Sequence, residues 1–409
     1  MRQDEITLVH PEPPKPRYVR LAVDGPRFER TSWAGNGKAR HGGKTYASES
    51  AARLATERET IKRMQEGFVL LRGPDDVTPG GIVMQCAVPN RGASDFFDLH
   101  PDGHTLAVGT MLHQGYGAEI HLIDIRTGRR QPVHAEPVTN EQTFIHAVLF
   151  DADGRGIVYA VNGETRYLDL DTGASTVIAS YRQFTTARFN PFRLRPAWDQ
   201  ARNRLLVFHT DDVVRVLDAA GNHLLEVPTR DRPECQAGAL SRSGRLLALS
   251  YELLETEIWD VDTGELLATH PFPVPFDRSA SGLGLRTVGF DPTELLVVAE
   301  GGYAEGPAAM SVESGELEWA IHDPYRTDRW GTCHSWSYSP DGRLLAVGGH
   351  GRVELRDADT RELAPDQLSP SSTGHTRRVV FSTDGKLIVA GGGTGRISVH
   401  LAGQPTTTP

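Results

Sequence analysis

The sequence is poor in cysteine, in aromatic residues and in long apolar runs. Only 3 of its 409 residues are cysteine, and Phe, Trp and Tyr make up 7%. No run reaches the roughly 18 apolar residues that a transmembrane helix needs, so we expect no membrane partner. The polar, proline-rich residues 1–16 lack the apolar core of a secretory signal. Cys86, Cys235 and Cys333 are odd in number and far apart, which predicts buried free thiols and a reducing, cytoplasmic location.

Glycine and proline are abundant, and charge is unevenly distributed along the chain. The 42 glycines and 26 prolines favour many short strands and tight turns over long helices. Residues 1–72 contain 14 Lys/Arg and 9 Asp/Glu, a net charge of +5, whereas residues 73–409 contain 29 and 44, a net charge of −15. This asymmetry predicts that the first part, which we call the head, meets an anionic partner. Ordinary variation in solvated surface charge would explain it equally well.

The head pattern predicts a small α+β unit over residues 17–72, after an arm or linker at residues 1–16. Two alternating strands flank a hairpin turn, and a Ser-capped helix follows, at Tyr18–Val23, Asp24-Gly25, Phe28–Trp33 and Ser48 before Glu49–Glu66. Between the second strand and the helix we expect a glycine-rich basic loop and a short strand at Thr45-Tyr46. The loop carries Lys38, Arg40, His41 and Lys44.

This order of elements resembles a WGR domain. The resemblance rests on Trp33, Gly37, Lys44, Tyr46, Ser48, Ala51-Ala52, Lys62 and Gly67-Phe68. The signature Trp-Gly-Arg reads Trp33-Ala34-Gly35 here, so the arginine of the family is missing. The resemblance implies contact of the head with nucleic acid through Trp33, with Lys38, Arg40 and Lys44 as the basic residues beside it. The alternative is that Trp33 packs in the core and that the three cations are only solvated.

After a linker at residues 73–80, two phase-locked series of turns repeat every 40–50 residues, as blades of four strands do. The first series ends at Gly103, Gly154, Asn203, Gly244, Glu294, Gly342 and Gly385. The second ends at Gly128, Gly173, Gly221, Gly264, Gly315 and Arg361. The third strands end at Asp124, Asp169, Asp218, Asp260 and Asp357. The spacing predicts seven copies, with first strands that start near residues 95, 145, 194, 236, 285, 334 and 377.

The last copy, Gly374–His400, resembles a WD-repeat blade. It has Gly374-His375, an apolar strand, the turn Ser382-Thr383-Asp384-Gly385 and two further strands. The resemblance predicts a mainly β protein, a seven-bladed WD-repeat-like β-propeller over residues 81–402, with a tail at residues 403–409. Because the last copy lacks a fourth strand, we expect residues 82–88 to supply it and to close the ring. We also expect the propeller to stay folded when residues 1–72 are deleted.

Motifs for catalysis, metals and cofactors are weak, and none is predicted. The Asp-x-Asp-Thr-Gly stretches lack the further ligands of a calcium loop and recur where turns need Asp and Gly. The histidines show no helical ligand spacing, and Gly391–Gly395 is not followed by the Lys of a phosphate loop. Gly-x-Ser-x-Gly is absent. These observations predict that the protein is not an enzyme.

Long loops on one rim of the propeller are rich in aromatic residues and arginine, the types enriched at binding hot spots. We therefore predict a partner-binding rim formed by Tyr116, Arg182, Phe184, Arg188, Phe189, Phe276, Arg278, Tyr303, Tyr325, Arg326, Arg329 and Trp330. The preferred function is a non-enzymatic scaffold or adaptor that binds a protein at this rim, with nucleic acid as a second partner of the head. The alternatives are a catalytic propeller, a hydrolase or lyase with its site in the central channel, and a head that only docks proteins.

Overall fold

The computed structural model describes most of the chain, with gaps at several loops. The described residues are 5–12, 15–88, 96–112, 117–137, 143, 145–180, 195–209, 213–229, 235–251, 255–273, 285–301, 306–321, 335–349, 353–368, 376–392 and 395–403. Within these ranges no helix is long and apolar enough to cross a membrane. The structure is mainly β, as predicted.

The first part of the chain forms six strands and one α-helix. They are β1 (Glu5–His10), β2 (Arg17–Asp24), β3 (Arg27–Ala34), β4 (Arg40–Thr45), α1 (Glu49–Gln65), β5 (Val69–Leu71) and β6 (Ile82–Ala87), with a short 3-10 helix at Pro74–Asp76. The segment expected as an arm supplies β1, which pairs with both β2 and β5. Leu8 on this strand is fully buried, so β1 belongs to the core of the head.

The repeats follow as strands of three to eight residues, apart from the two-residue β15. The first two copies contain β7 (Phe97–Leu99), β8 (Thr105–Leu112), β9 (Gly117–Asp124), β10 (Arg130–Glu136), β11 (Ile145–Phe150), β12 (Gly156–Val161), β13 (Glu164–Asp169) and β14 (Ser175–Ser180). The next two contain β15 (Ala197–Trp198), β16 (Arg204–His209), β17 (Val213–Asp218), β18 (His223–Pro228), β19 (Cys235–Leu240), β20 (Leu246–Tyr251), β21 (Glu255–Asp260) and β22 (Leu266–Pro271).

The last three copies complete the chain. They contain β23 (Leu285–Phe290), β24 (Leu296–Gly301), β25 (Ala308–Ser311), β26 (Leu317–Ala320), β27 (Ser335–Tyr338), β28 (Leu344–Gly348), β29 (Val353–Asp357), β30 (Thr376–Phe381), β31 (Leu387–Gly392) and β32 (Arg396–Leu401). The predicted ends of the third strands are confirmed in five copies, because β9, β13, β17, β21 and β29 stop at the expected aspartates.

In the part of the chain that the structure describes, the strands form a β-propeller with six separate blades, so the expectation of a seven-bladed propeller is wrong. Among the described strands, five blades have four strands each, and the sixth has the three strands β27, β28 and β29. The strands of the seventh copy lie instead in a nine-stranded sheet of order β30-β31-β32-β6-β5-β1-β2-β3-β4. The physical reason is that β5 pairs with the free edge of β6, which continues this sheet into the head.

The strand β6 joins the last copy to the head along both of its edges. On one edge it pairs antiparallel with β32, with Cys86 opposite Ile397. On the other edge it pairs with β5, with Met84 opposite Leu71. Val69 and Leu71 of β5 pack closely against the first blade at Gly128. A side chain larger than that of glycine would clash with them there. The head is therefore packed into the propeller rather than tethered to it.

Local chemistry explains the helix of the head. The Ser48 side chain accepts a hydrogen bond from the Ala51 backbone N–H (3.2 Å), and Gly67 beyond the helix has φ +93°, so both predicted boundary signals are confirmed. The prediction of a basic loop is wrong for residues 40–45, which form β4. Continuous pairing with β3 overrides the low strand propensity of Gly42 and Gly43.

The aspartates that end the third strands hold the following turns. Asp169 Oδ1 accepts the backbone N–H groups of Asp171 (3.0 Å) and Thr172 (2.8 Å), and the same pattern recurs at Asp124, Asp260 and Asp357. These hydrogen bonds lower the pKa of the carboxyl group of Asp169. The carboxylates therefore serve turn geometry, in agreement with the structural interpretation of the Asp-x-Asp-Thr-Gly stretches.

Among the described residues the sixth blade has no fourth strand; a single β-bridge from Leu363 to Arg356 and the side chain of Gln367 lie along β29 instead. The Gln367 Oε1 atom accepts the Leu355 backbone N–H (3.1 Å), and its Nε2 donates to the Leu355 carbonyl oxygen (2.7 Å). The carboxamide thus pairs with β29 as a peptide group of a neighbouring strand would. This pairing covers part of an otherwise open sheet edge.

Because the head packs against the propeller, we now expect deletion of residues 1–72 to destabilise the propeller. Loss of residues 1–72 exposes Ile82 and Ala87, which pack with the head core, and removes the Glu57 carboxylate near the buried guanidinium of Arg396. We expect deletion to lower the free energy of unfolding by about 5 kcal/mol or more, because several buried apolar side chains become exposed. Thermal unfolding followed by circular dichroism tests this. The control Leu54→Ala, on the exposed side of α1, should unfold like the parent protein; equal stability of the deletion variant would contradict the expectation.

His400 makes the seam between β6 and β32 sensitive to acid. Burial lowers the pKa of His400 to about 4, against a weaker raising effect of the Gly80 carbonyl. Since the unfolded histidine has a pKa near 6.5, its contribution to stability is complete above about pH 6.5 and is lost as the pH falls towards about 4. The loss should be on the order of 3 kcal/mol. Urea denaturation at about pH 7 and about pH 5 should show a smaller pH effect in His400→Gln; an unchanged effect would contradict this assignment.

Candidate functional site

A cavity of about 540 Å³ lies at the centre of the propeller. Its wall contains residues from the first strand of every copy, β7, β11, β15, β19, β23, β27 and β30. It also contains residues of the turns that follow these strands, such as Ser241, Ser339 and Ser382. The cavity is therefore the end of the central channel on the side of the first turns. Its volume is in the range of small-ligand sites in proteins.

Arginines are the most numerous charged residues of this cavity. Arg195, Arg202, Arg242 and Arg378 line it, together with three aspartates. The guanidinium of Arg195 lies 5.4 Å from the Phe96 ring centre, and that of Arg378 lies 5.6 Å from the ring centre of Phe97. These cation–π contacts position the two guanidinium groups near the start of the short strand β7.

Arg202 ties three copies together at the wall of the cavity. Its guanidinium donates to Asp98 Oδ2 (2.7 Å) and to the Leu99 carbonyl (3.3 Å) in the first copy, and to the Phe150 carbonyl in the second. Asp98 also accepts the Phe150 backbone N–H at 2.9 Å. Both charged side chains are largely buried. This buried ion pair fixes the first three copies relative to one another.

Arg202 belongs to a set of long side chains that stand where other copies have glycine. Arg202 (φ 57°), Glu294 (φ 63°) and Arg361 (φ 66°) adopt the left-handed conformation of the corresponding turn glycines. In the third copy the prediction that Asn203 takes this place is wrong by one residue, because the Arg202 N–H makes the turn hydrogen bond to Asp199. Such a conformation costs roughly 1 kcal/mol for a non-glycine residue. Each of the three side chains contacts another copy: Glu294 accepts hydrogen bonds from Ser243, and Arg361 lies 4.4 Å from the ring centre of Trp319. The contacts between copies offset the backbone cost.

The aspartates of the cavity are occupied by structural hydrogen bonds. Asp199 Oδ1 accepts the backbone N–H groups of Asn203 (2.6 Å) and Arg204 (3.2 Å). Asp291 accepts the Leu296 backbone N–H (2.9 Å) and the Thr293 hydroxyl (2.5 Å). Among the described residues that line the cavity there is no histidine, and no group of three or more potential metal ligands occurs in the described ranges. The described wall therefore contains arginines and hydrogen-bonded aspartates but no histidine.

A second cluster of titratable side chains joins the first two blades. The Tyr159 hydroxyl donates to Glu136 Oε1 (2.7 Å) and lies 3.0 Å from His134 Nε2 and 2.7 Å from Ser175 Oγ. The hydrogen bond with His134 is the main cause of a lowered pKa of Glu136, while burial raises the pKa of Tyr159. Because the Tyr159 side chain is completely buried, a substrate cannot reach it. This network holds blades together.

The predicted rim residues are not among those the structure describes. Tyr116, Arg182, Phe184, Arg188, Phe189, Phe276, Arg278, Tyr303, Tyr325, Arg326, Arg329 and Trp330 all lie outside the described residues. The rim therefore stays a prediction.

The predicted nucleic-acid residues of the head are described, and the structure separates them. Trp33 stacks on Tyr18 on the face of the sheet opposite α1, with ring centres 5.2 Å apart. Arg40 and Lys44 lie on the other face, because Lys44 is paired with Phe28 of the head core and strand residues alternate between faces. Lys38 is exposed in the turn before β4. The four residues do not form one contact surface.

Sequence reasoning missed Asp98 and Arg202. The third copy lacks the Asp-Gly sequence that the first turn has in most other copies, and this difference was a signal for Arg202. Its role could not be predicted, because it depends on a contact with Asp98, 104 positions away. If β4 had been predicted as the partner of β3, the alternation of side chains between the two faces of the sheet would have placed Trp33 and Arg40 on opposite faces.

Comparisons with known proteins show the fold and no family. No protein-family profile matches the chain, and no curated protein matches it. A chain in a crystal structure of the mitotic checkpoint complex has a similar fold, with a TM-score of 0.58, 14% sequence identity, and coverage of 81% of this chain and 95% of that one. In all, 1490 chains of solved structures match, so the likeness defines the β-propeller class and not a particular activity.

The ion pair between Asp98 and Arg202 should be worth more than exposed pairs. We expect Asp98→Ala and Arg202→Gly each to lower the free energy of unfolding by about 3 kcal/mol, because each leaves a buried partner charge unpaired. The double variant should lose clearly less than the sum. Chemical denaturation of the three variants measures this coupling. The control is Arg126→Ala, which removes an exposed ion pair with Asp124 and should change stability little. Additive losses of stability in the double variant would contradict a coupling between Asp98 and Arg202.

Proposed function

We propose that this protein is a non-enzymatic scaffold whose propeller binds a protein partner. The observation that carries the proposal is the likeness of its fold to a propeller chain in the mitotic checkpoint complex, where the fold is part of an assembly of proteins. The ties between copies support it as well, since a rigid frame presents loops in fixed positions at little entropic cost. A cytoplasmic location follows from the predicted reducing environment of the cysteines.

Several finer features belong to this proposal. We take the four strands β30, β31, β32 and β6 as the closing unit of a WD-repeat-like ring, which makes seven copies around one axis. We take the head as WGR-like in the order of its elements, with domain limits near residues 17–72 and 81–402. Nucleic-acid contact by the head stays a prediction, and the separation of Trp33 from Arg40 and Lys44 weighs against a single contact surface.

The described cavity favours an acidic element in the protein partner. Arg242 is exposed at the channel end, and Arg195 and Arg378 are half-buried beside the phenylalanine rings. Guanidinium groups bind carboxylates through paired N–H donors, so an acidic side chain that enters the channel end would add affinity and orientation. This channel end lies on the face opposite the rim loops, so it would form a second contact site.

The rim can be tested by truncation of its two largest residue types. We expect the double variant Arg188→Ala with Trp330→Ala to capture its protein partners with at least about 30-fold lower affinity, since one hot-spot truncation costs about 2 kcal/mol or more. Affinity purification from the native host with mass spectrometry measures the recovery. Arg126→Ala, on an exposed turn, is the matched control, and unfolding curves confirm that the fold is intact. Equal recovery of the same partners by both variants would overturn the rim proposal.

A further inference from the structure

The outermost strand of the nine-stranded sheet, β4, has a free edge. Its six residues, Arg40–Thr45, are all exposed, and no described strand pairs with its outer side. Pairing with β3 runs from Ser32 opposite Arg40 to Arg27 opposite Thr45 without a register shift. Natural edges are usually protected by proline, by a bulge, by a very short strand or by charged side chains, and of these β4 has only the charged side chains, Arg40 and Lys44.

The backbone groups of this edge are arranged to accept another strand. The Tyr46 N–H donates to the Pro26 carbonyl at 2.9 Å, just beyond the paired segment. Since hydrogen-bonded pairs alternate along antiparallel strands, Arg40, Gly42 and Lys44 bond towards β3. The N–H and C=O groups of His41, Gly43 and Thr45 therefore point away from the sheet. An added strand would find three donor–acceptor pairs at regular spacing.

The side chains of β4 favour an added strand of negative charge. The strand carries Arg40, His41 and Lys44, and no Asp or Glu occurs from Thr31 to Ser48. Arg40 and Lys44 share one face, with Gly42 between them leaving space, and the Lys44 ammonium lies 5.0 Å from the Tyr46 ring centre. Like charges directly opposite each other destabilise paired strands, which disfavours a second copy of this chain. Opposite charges at alternate positions stabilise them.

We infer that the β4 edge binds an acidic, extended segment of a protein partner as an added β-strand, with carboxylates at alternate positions beside Arg40 and Lys44. Backbone hydrogen bonds supply the docking geometry, and the cations supply the selectivity. The inference deepens the proposed scaffold role by giving the head a partner of its own. It does not depend on the rim loops, because the head and the rim are tested by different variants.

The experiment uses the full chain and fluorescein-labelled peptides of alternating Glu and Val, or of alternating Lys and Val. Fluorescence polarisation should show at least about ten-fold tighter binding of the Glu–Val peptide. His41→Pro removes one outward N–H and should weaken this binding about ten-fold, whereas the control His41→Gln keeps the N–H and should bind like the parent protein. Reversal of the charges in Arg40→Glu with Lys44→Glu should reverse the peptide preference. Unfolding curves establish that each variant is folded.

The opposite results are equally clear. Equal binding of the two peptides, or loss of binding in both His41 variants alike, would overturn the inference. So would tight, salt-sensitive binding of a DNA duplex that displaces the peptide and ignores His41→Pro, because the edge would then be a polyanion surface. The rim double variant should bind the Glu–Val peptide normally. Failure at the edge would therefore leave the scaffold proposal standing, and failure at the rim would leave the edge inference standing.

Discussion

The antiparallel pairing of β6 with β32 is the interaction on which the rest of the structure depends. A strand that precedes all the repeats completes the last of them, so the outer edge of β32 is covered. The same strand carries the head on its other edge through β5. His400 and Arg396, both buried on β32, place polar groups at this junction and tie its stability to the hydrogen bond with Gly80 and the ion pair with Glu57.

Contacts between neighbouring copies add a second level of order to the array. Apolar side chains of neighbouring blades pack into shared clusters, such as Ile120 with Val148, and hold the blades together. Arg202, Glu294 and Arg361 fix them more specifically, because each adopts a strained backbone conformation and reaches a defined partner in another copy. The buried cluster around Tyr159 does the same between the first two blades. The result is a frame suited to holding loops in place.

Features set by local chemistry could be predicted from the sequence. The turn aspartates and glycines located the third strands, and Ser48 and Gly67 located the helix, because each signal acts within a few residues. Features set by pairing over long distances could not. The glycines of β4 predict a loop, and only the pairing with β3 makes this segment a strand. The sixth and seventh copies differ from a separate four-stranded blade because Gln367 lies along the edge of β29 and β5 pairs with the edge of β6. The twelve rim residues stay predictions.

The position of β6 in the sequence has a consequence for how the protein is made. His400 and Gly80, which meet at the seam, are 320 residues apart, so the ribosome releases β6 long before its partner strand exists. During that time the pairing with β5 satisfies one edge of β6, and α1 covers one of its faces. The strand and helix that cover one edge and one face of β6 therefore precede it in the chain, whereas the strand that covers its other edge is made last.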